Sequence, residues 1–252
     1  MKKMLLMKCM FVSAGVFLSF SFFISLAVAE NAGKGWSGDV FAGYNLTSGN
    51  TDRSSANLSA QAVKQFEKAV FSLKGNMFYS ETNKKMDTQK WDGLAKYALD
   101  FGEAGKWFSF YQVLLDHDYF ADINYRITPA AGIGYHISRS ENWTWDVDAG
   151  LGYRITRYRV NKAQDDEVLT AIAHTFMKRK IFTKAFLSED FTAYPGLKSG
   201  SAVVCRSETA FVNPLNGNLD LEFKYIVDYN SEPADDKTTT DKQFIAGIKY
   251  KF

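Results

Sequence analysis

The chain has 252 residues, 30 Lys plus Arg against 28 Asp plus Glu, and two cysteines, Cys9 and Cys205. A length of this order suits one domain, and two cysteines exclude a small secreted domain stapled by disulfides. No block of Lys and Arg interleaved with aromatics occurs, which argues against nucleic acid as a partner.

The first element is a leader. Lys2, Lys3 and Lys8 precede an uncharged, largely apolar run from Cys9 to Ala29 that closes on Ala27-Val28-Ala29 before Glu30. Small residues at the last and third-last positions fit a signal peptidase, so cleavage is predicted between Ala29 and Glu30. This divides the chain into a signal peptide, 1–29, and a mature domain, 30–252. The run is also long enough for an uncleaved helical anchor, since about 20 apolar residues cross a bilayer. After Glu30 no uncharged apolar stretch approaches that length, which excludes a helical membrane bundle. Losing three lysines leaves 27 Lys plus Arg against 28 Asp plus Glu, a formal charge of −1. Cys9 precedes the apolar run, too early for lipid attachment, and Cys205, left alone, reads as an inert thiol.

From Trp36 onward the apolar residues recur at every second position, the period of a strand. Trp36, Val40, Ala42, Tyr44 and Leu46 oppose Ser37, Asp39, Asn45 and Thr47, with Phe41 out of place on the polar face. Ser48-Gly49-Asn50-Thr51-Asp52 reads as a tight turn, because Gly and Asn tolerate positive φ. Ala56, Leu58, Ala60 and Ala62 make the next stripe, then Phe71, Leu73, Met77 and Tyr79 against Ser72, Lys74, Asn76 and Ser80. Trp91, Ala95, Tyr97, Leu99 and Phe101 oppose Asp92, Lys96 and Asp100. Ile127, Ala131, Ile133, Tyr135 and Ile137 form a strand that Pro129 should interrupt by a missing ladder bond or a bulge. The cleanest alternation sets Trp143, Trp145, Val147, Ala149, Leu151, Tyr153 and Ile155 against Thr144, Asp146, Asp148, Arg154 and Thr156. Leu219, Leu221, Phe223, Tyr225, Val227 and Tyr229 oppose Asp220, Glu222, Lys224 and Asp228. Strands near 107–116, 168–176, 181–193 and 201–212 are expected without a clear assignment of faces. A last one, Phe244 to Phe252, brings the total to twelve.

Most of these strands are about 10 to 13 residues long, enough to cross a bilayer at a tilt; a soluble sandwich uses about 5 or 6. Predicted links alternate between long polar ones (81–90, 117–125, 157–166, 194–200 and 231–241) and short ones (67–69, 102–106, 138–142, 177–180 and 213–218). Such asymmetry fits an all-β, antiparallel up-and-down barrel with long external loops and tight periplasmic turns. Periodicity alone leaves a lipocalin-like soluble barrel open. Aromatics near strand ends (Trp36, Trp91, Trp107, Trp143, Tyr44 and Tyr229 among them) favour lipid, as interfacial girdles. The final strand alternates to its last residue, and Tyr250 and Phe252 look like the terminal signal read by outer-membrane assembly machinery.

The chain resembles a family described as salt-induced outer membrane proteins of Gram-negative bacteria. Trp36-Ser37-Gly38, Gly43 and Ser48-Gly49-Asn50-Thr51 carry the likeness, with Asp118-Tyr119-Phe120, Ile123 and Arg126 in mid-chain. Gly132-Ile133-Gly134-Tyr135 and Asp148-Ala149-Gly150-Leu151-Gly152-Tyr153 resemble its two glycine-tyrosine strands. The resemblance implies an outer-membrane barrel; it brings no catalytic residues and no substrate.

Chemistry-bearing motifs are few. Asp116-His117-Asp118 is the most enzyme-like, since an imidazole beside carboxylates can act as a general base. Neighbours on a strand point to opposite faces, however. His136 and His174 stand without a serine or carboxylate motif, and three scattered histidines show no metal spacing. Asp165-Asp166-Glu167 and Asp235-Asp236 read as solvated loop, with cation-bridged lipopolysaccharide as the alternative. The polar face is more informative: Asp92, Asp146, Asp148, Glu222 and Asp228 against Lys74, Lys96, Arg154, Lys224 and Lys249 predict a lumen of mixed charge. The reading is a monomeric outer-membrane barrel, in contact with lipid and lipopolysaccharide, with both termini in the periplasm. It needs no cofactor. It is a narrow pore linked to salt or osmotic conditions, a sealed envelope protein held by internal ion pairs, or a rim enzyme around His117.

Overall fold

The computed structural model describes residues 35–47, 52–160, 162, 165–233 and 238–252. The predicted leader with its Ala29–Glu30 junction, the 48–51 turn and the Asp235-Asp236 pair lie outside the described residues.

Alternating segments become strands throughout: β1 (Trp36–Thr47), β2 (Arg53–Gln65), β3 (Ala69–Thr82), β4 (Lys85–Phe101), β5 (Trp107–Asp118), β6 (Ile123–Arg139), β7 (Trp143–Tyr158), β8 (Asp166–Ile181), β9 (Ala185–Pro195), β10 (Val203–Asn216), β11 (Leu219–Asn230) and β12 (Thr240–Lys251). Each pairs antiparallel with its chain neighbours, and β1 pairs with β12 to close a twelve-stranded barrel. Closure leaves no unpaired edge. Among the described residues no helix is long and apolar enough to cross a membrane.

The apolar stripes face out. Tyr111, Ile133 and Leu151 are 59%, 56% and 56% exposed in mid-strand, a degree of bare apolar wall that hydrocarbon covers and water does not. Trp107 and Trp143 sit at one end of this wall, and Tyr44, Trp91 and Tyr229 toward the other. At Pro129 the β6–β7 ladder skips Thr128 and Pro129 while keeping its register, the missing-bond form of the predicted interruption.

One expectation about the links needs correction. Residues 81–90 are not a long loop: β3 runs to Thr82, β4 starts at Lys85, and only Asn83 and Lys84, at φ 50° and 61°, make the turn. Left-handed residues of this kind close two-residue hairpins. The polar sequence pairs with itself above the apolar belt, where Thr82 Oγ1 donates to Asp87 at 2.6 Å and Ser80 also donates to it. Strand lengths consequently reach 17 residues in β4 and β6. Links at the end holding 119–122, 159–165, 196–202 and 231–239 are still mostly the longer ones.

Phe41, out of place in the sequence pattern, is fully buried inside the barrel with Phe78, Ile226 and Ile245. Phe108 and Phe110 of β5 also point inward, each ring lying on a glycine of β6 (Gly134 and Gly132), where a Cβ would approach the ring to 2.2 and 2.6 Å. These apolar patches fill part of the interior and narrow it.

The seam is short, with five paired positions from Asp39↔Lys251 to Gly43↔Gly247. Phe252 extends it: its N–H donates to Gly38 O at 3.0 Å, and its carbonyl accepts from Gly38 N at 3.1 Å. The ring lies where a Gly38 side chain would stand, 2.7 Å from the position of a Cβ. Deleting Phe252 removes both bonds and the ring from the shortest pairing in the barrel. The heat-modifiable folded fraction on gels should fall; an undiminished fraction would refute this account of the last residue.

Candidate functional site

Alternation that puts lipid-compatible residues outside puts charge inside. A cavity of about 950 Å³ occupies the lumen, lined from Asp118 and Arg126 at one end to Lys249 and Lys251 at the other. Of the ten residues predicted to line it, Lys74, Asp92, Lys96, Arg154, Glu222, Lys224, Asp228 and Lys249 do so. Asp146 and Asp148 lie on the same face of β7, held by inward-facing partners: Asp146 Oδ1 is 2.5 Å from His136 Nδ1, and Asp148 Oδ2 is 2.7 Å from His174 Nδ1.

The charges are organised as ties across the lumen. Lys74 of β3 reaches Asp190 of β9 at 3.1 Å, and Arg206 of β10 approaches Asp92 of β4 at 3.8 Å. Each pair joins strands six places apart in a ring of twelve, so each runs from wall to opposite wall. Lys90 of β4 adds a third tie to Asp228 of β11 at 2.5 Å. One chain of contacts is continuous: Lys96 to Asp148 at 2.8 Å, Asp148 to His174 at 2.7 Å, His174 to Asp190 at 3.3 Å, and Asp190 to Lys74. Lys224 binds Glu208 at 3.4 Å, donates to Ser59 Oγ at 3.2 Å and rests on the Phe41 ring, and Arg206 joins Asp228 at 3.2 Å. Partly covered from water, such pairs are screened less than on an open surface, and they link facing walls of the barrel. Toward the end bearing the chain's C-terminus, Glu222 pairs with Lys249 at 2.9 Å, Asp220 with Lys251 at 2.8 Å, and Asp100 with Arg139 at 2.8 Å.

Asp116, His117 and Asp118 are separated by the pleat. Asp116 faces the lumen, bound by Arg126 at 2.8 Å. His117 lies over Trp91 with ring centroids 5.8 Å apart, its Nδ1 2.7 Å from Asn124 O. Asp118 accepts from the N–H groups of Phe120 and Ala121, both at 3.0 Å, closing the 119–122 turn. Among the described residues no carboxylate orients the imidazole, so the three residues form no acid–base unit. His117→Ala is expected to leave any lipid- or peptide-hydrolysing activity of the folded barrel unchanged; an activity lost with the imidazole, measured on such substrates in detergent, would contradict this.

Asp165 and Glu167 are both engaged by Arg157, with Asp165 at 3.7 Å, and Tyr153 donates to Glu167 at 3.0 Å. Sequence reasoning missed Lys90, His136, His174, Asp190, Arg206 and Glu208 as lumen residues. Glu189-Asp190 shows why. Two adjacent acids in a strand of unclear parity are indistinguishable in sequence, yet Asp190 turns inward while Glu189 lies on the outer wall, accepting from Ser207 at 2.6 Å and Thr209 at 2.5 Å. Cys205 of β10 is a free thiol, partly covered.

An antiparallel barrel that is closed, apolar outside and charged inside is an outer-membrane β-barrel of porin-like fold. The chain belongs to the family described as Protein of unknown function, DUF481, whose model matches residues 40–252. That description carries no activity. Among solved structures the chain is similar to the NanC porin, with a TM-score of 0.54 at 10% identity over 85% of this chain and 100% of that one. It is also similar to an outer membrane channel from Pseudomonas putida F1, with a TM-score of 0.50 at 9% identity over 86% of this chain and 94% of that one. At such identities the shared property is the fold. A comparison with curated protein sequences returns no match.

Proposed function

We propose that this protein is a narrow channel of the Gram-negative outer membrane that passes ions and small hydrophilic solutes. One observation carries the reading: a cavity of about 950 Å³, walled by charged and polar side chains interspersed with apolar ones, is lined by residues from both ends of the barrel. Burying so many charges costs free energy that an apolar filling would avoid, so a polar lumen is more naturally a path than a structural core. The porin and channel folds to which the barrel is similar are consistent with this. Export by the 1–29 leader, a periplasmic position for both termini, a monomeric state and assembly through the C-terminal strand complete the proposal. A link to salt or osmotic conditions enters only through the sequence resemblance, and immunoblots of outer membranes after an osmotic upshift test it.

The ties between opposite walls favour a second reading, a sealed envelope barrel. Single-channel recording in planar bilayers separates the two. Discrete conductance steps from the refolded wild-type barrel are expected; a baseline indistinguishable from protein-free bilayers overturns the channel.

A further inference from the structure

The lumen neutralises its cations with unusual regularity, which makes one departure informative. Lys74, Lys90, Lys96, Arg126, Arg206 and Lys224 each have a carboxylate oxygen within 4 Å. Arg154 has none among the described residues. It is 5% exposed and lines the cavity from β7, and among the described residues its one side-chain hydrogen bond runs from Nη2 to the carbonyl of Ala202 at 3.3 Å. Its Nη1 is buried with no partner among them.

An ionised group kept from water without a counter-charge is costly, and an unfilled donor on it adds to the cost. Lys178, also without an ion pair among the described residues, solves the problem differently, with its ammonium 4.6 Å from the Phe186 ring centroid at the far end of the lumen. Arg154 has no such ring among the described residues. Two carboxylates lend it negative field without pairing with it. Asp166 of β8, opposite Thr156, forms no ion pair with it among the described residues, and Asp116 is taken by Arg126 through two contacts, Nε at 3.1 Å and Nη2 at 2.8 Å. Arg126 is itself diagonal to Arg154, being paired with Thr156 two residues along β7. A second guanidinium therefore adds positive potential beside the first. Thr128 and Thr170 are buried nearby on the flanking strands, and Thr170 Oγ1 is already committed to Pro195 O at 2.8 Å.

From this we infer that Arg154 is an anion-binding residue within the lumen, which takes a small oxyanion, a phosphate or carboxylate group, on its unfilled guanidinium edge, with Arg126 as the flanking cation. A planar guanidinium is suited to such groups because it presents parallel N–H donors. The inference deepens the channel reading by giving the path an anion-selective step, but binding itself does not require that the lumen conducts.

The test is a calorimetric titration of the refolded, detergent-solubilised barrel with inorganic phosphate, repeated with acetate. One saturable site is expected in the wild type. Affinity should fall by about tenfold or more in Arg154→Gln, since bonds to a charged group are lost, and by a smaller but measurable factor in Arg154→Lys, which keeps the charge without the parallel donors. Lack of saturable binding in the wild type overturns the inference, and so does a site that survives Arg154→Gln or disappears in Lys178→Gln instead. If Arg154→Gln does not refold, Arg154→Lys and the wild-type titration still decide: a wild-type site indifferent to the change of cation geometry and to competing chloride counts against a guanidinium-built site. Conductance is recorded on the same preparations. Binding without conductance sinks the channel alone, and conductance without binding sinks the Arg154 site alone.

Discussion

Asp190→Ala is expected to raise single-channel conductance severalfold and to move the reversal potential in a KCl gradient toward the chloride value. Asp190 is the hub of the longest tie, accepting from Lys74 of the opposite wall at 3.1 Å and lying 3.3 Å from His174 Nε2. Without its carboxylate the lysine has no reason to stretch across the lumen. The Lys74 ammonium then faces the lumen with less negative charge beside it, and a field of that sign favours anions. The variant should still fold, because Lys74 and Asp190 are each 31% exposed and partly wetted, which limits the loss to about 1 kcal/mol. Asp148→Ala is the contrasting case. That side chain is 1% exposed and receives both Lys96 and His174. Its removal leaves the Lys96 ammonium without its carboxylate and His174 without one of its two partners, and should cost about 3 kcal/mol, read as a lower urea midpoint in detergent. Unchanged conductance and selectivity in a folded Asp190→Ala barrel would mean that the tie does not control the path.

Gly132→Val should abolish the folded barrel or destabilise it by about 3 kcal/mol, the upper end of overpacking costs. A Cβ at this position would stand 2.2 Å from Ala149 O and 2.6 Å from Gly150 Cα, so the obstacle is backbone of the neighbouring strand and cannot rotate away. The Phe110 ring, 2.6 Å from the same point, closes the remaining side. Gly75→Ala on β3 is the control: its Cβ would meet nothing nearer than Asp92 O at 3.8 Å, so it should fold like the wild type. Comparable heat-modifiable fractions for Gly132→Val and Gly75→Ala would show that the close approach of β5, β6 and β7 is not a requirement of the fold.

The two experiments probe different layers of one arrangement. Aromatic rings laid on inward glycines draw the walls together, and ion pairs then span the gap that remains. A lumen too wide for either would be a large open pore; one filled only by rings would hold no charge. The mixture observed is that of a constricted, polar lumen, with Arg154 the one buried inward cation that neither a carboxylate nor an aromatic ring neutralises among the described residues.

How much of this was legible in the residues depends on how regular each strand is. Period-two alternation marked out the twelve strands and separated the two faces of β1, β4, β7 and β11, because the pleat sends every second side chain the same way; which of the two faces turned inward it left open. The defect at Pro129 was equally local, because a missing N–H is a property of the residue. What only the tertiary structure decided is everything that depends on distance across the barrel. Phe41 was an exception on a polar face, and Phe108 lay in a strand of unassigned faces, until neighbouring strands supplied glycines and apolar partners for them inside. Glu189 and Asp190 could not be told apart until the register of β9 against β10 gave one of them Ser207 and Thr209 outside. Lys74 and Asp190 are 116 residues apart in the chain. They meet because closure of the sheet folds its two halves face to face, and no pattern within a single strand carries that information.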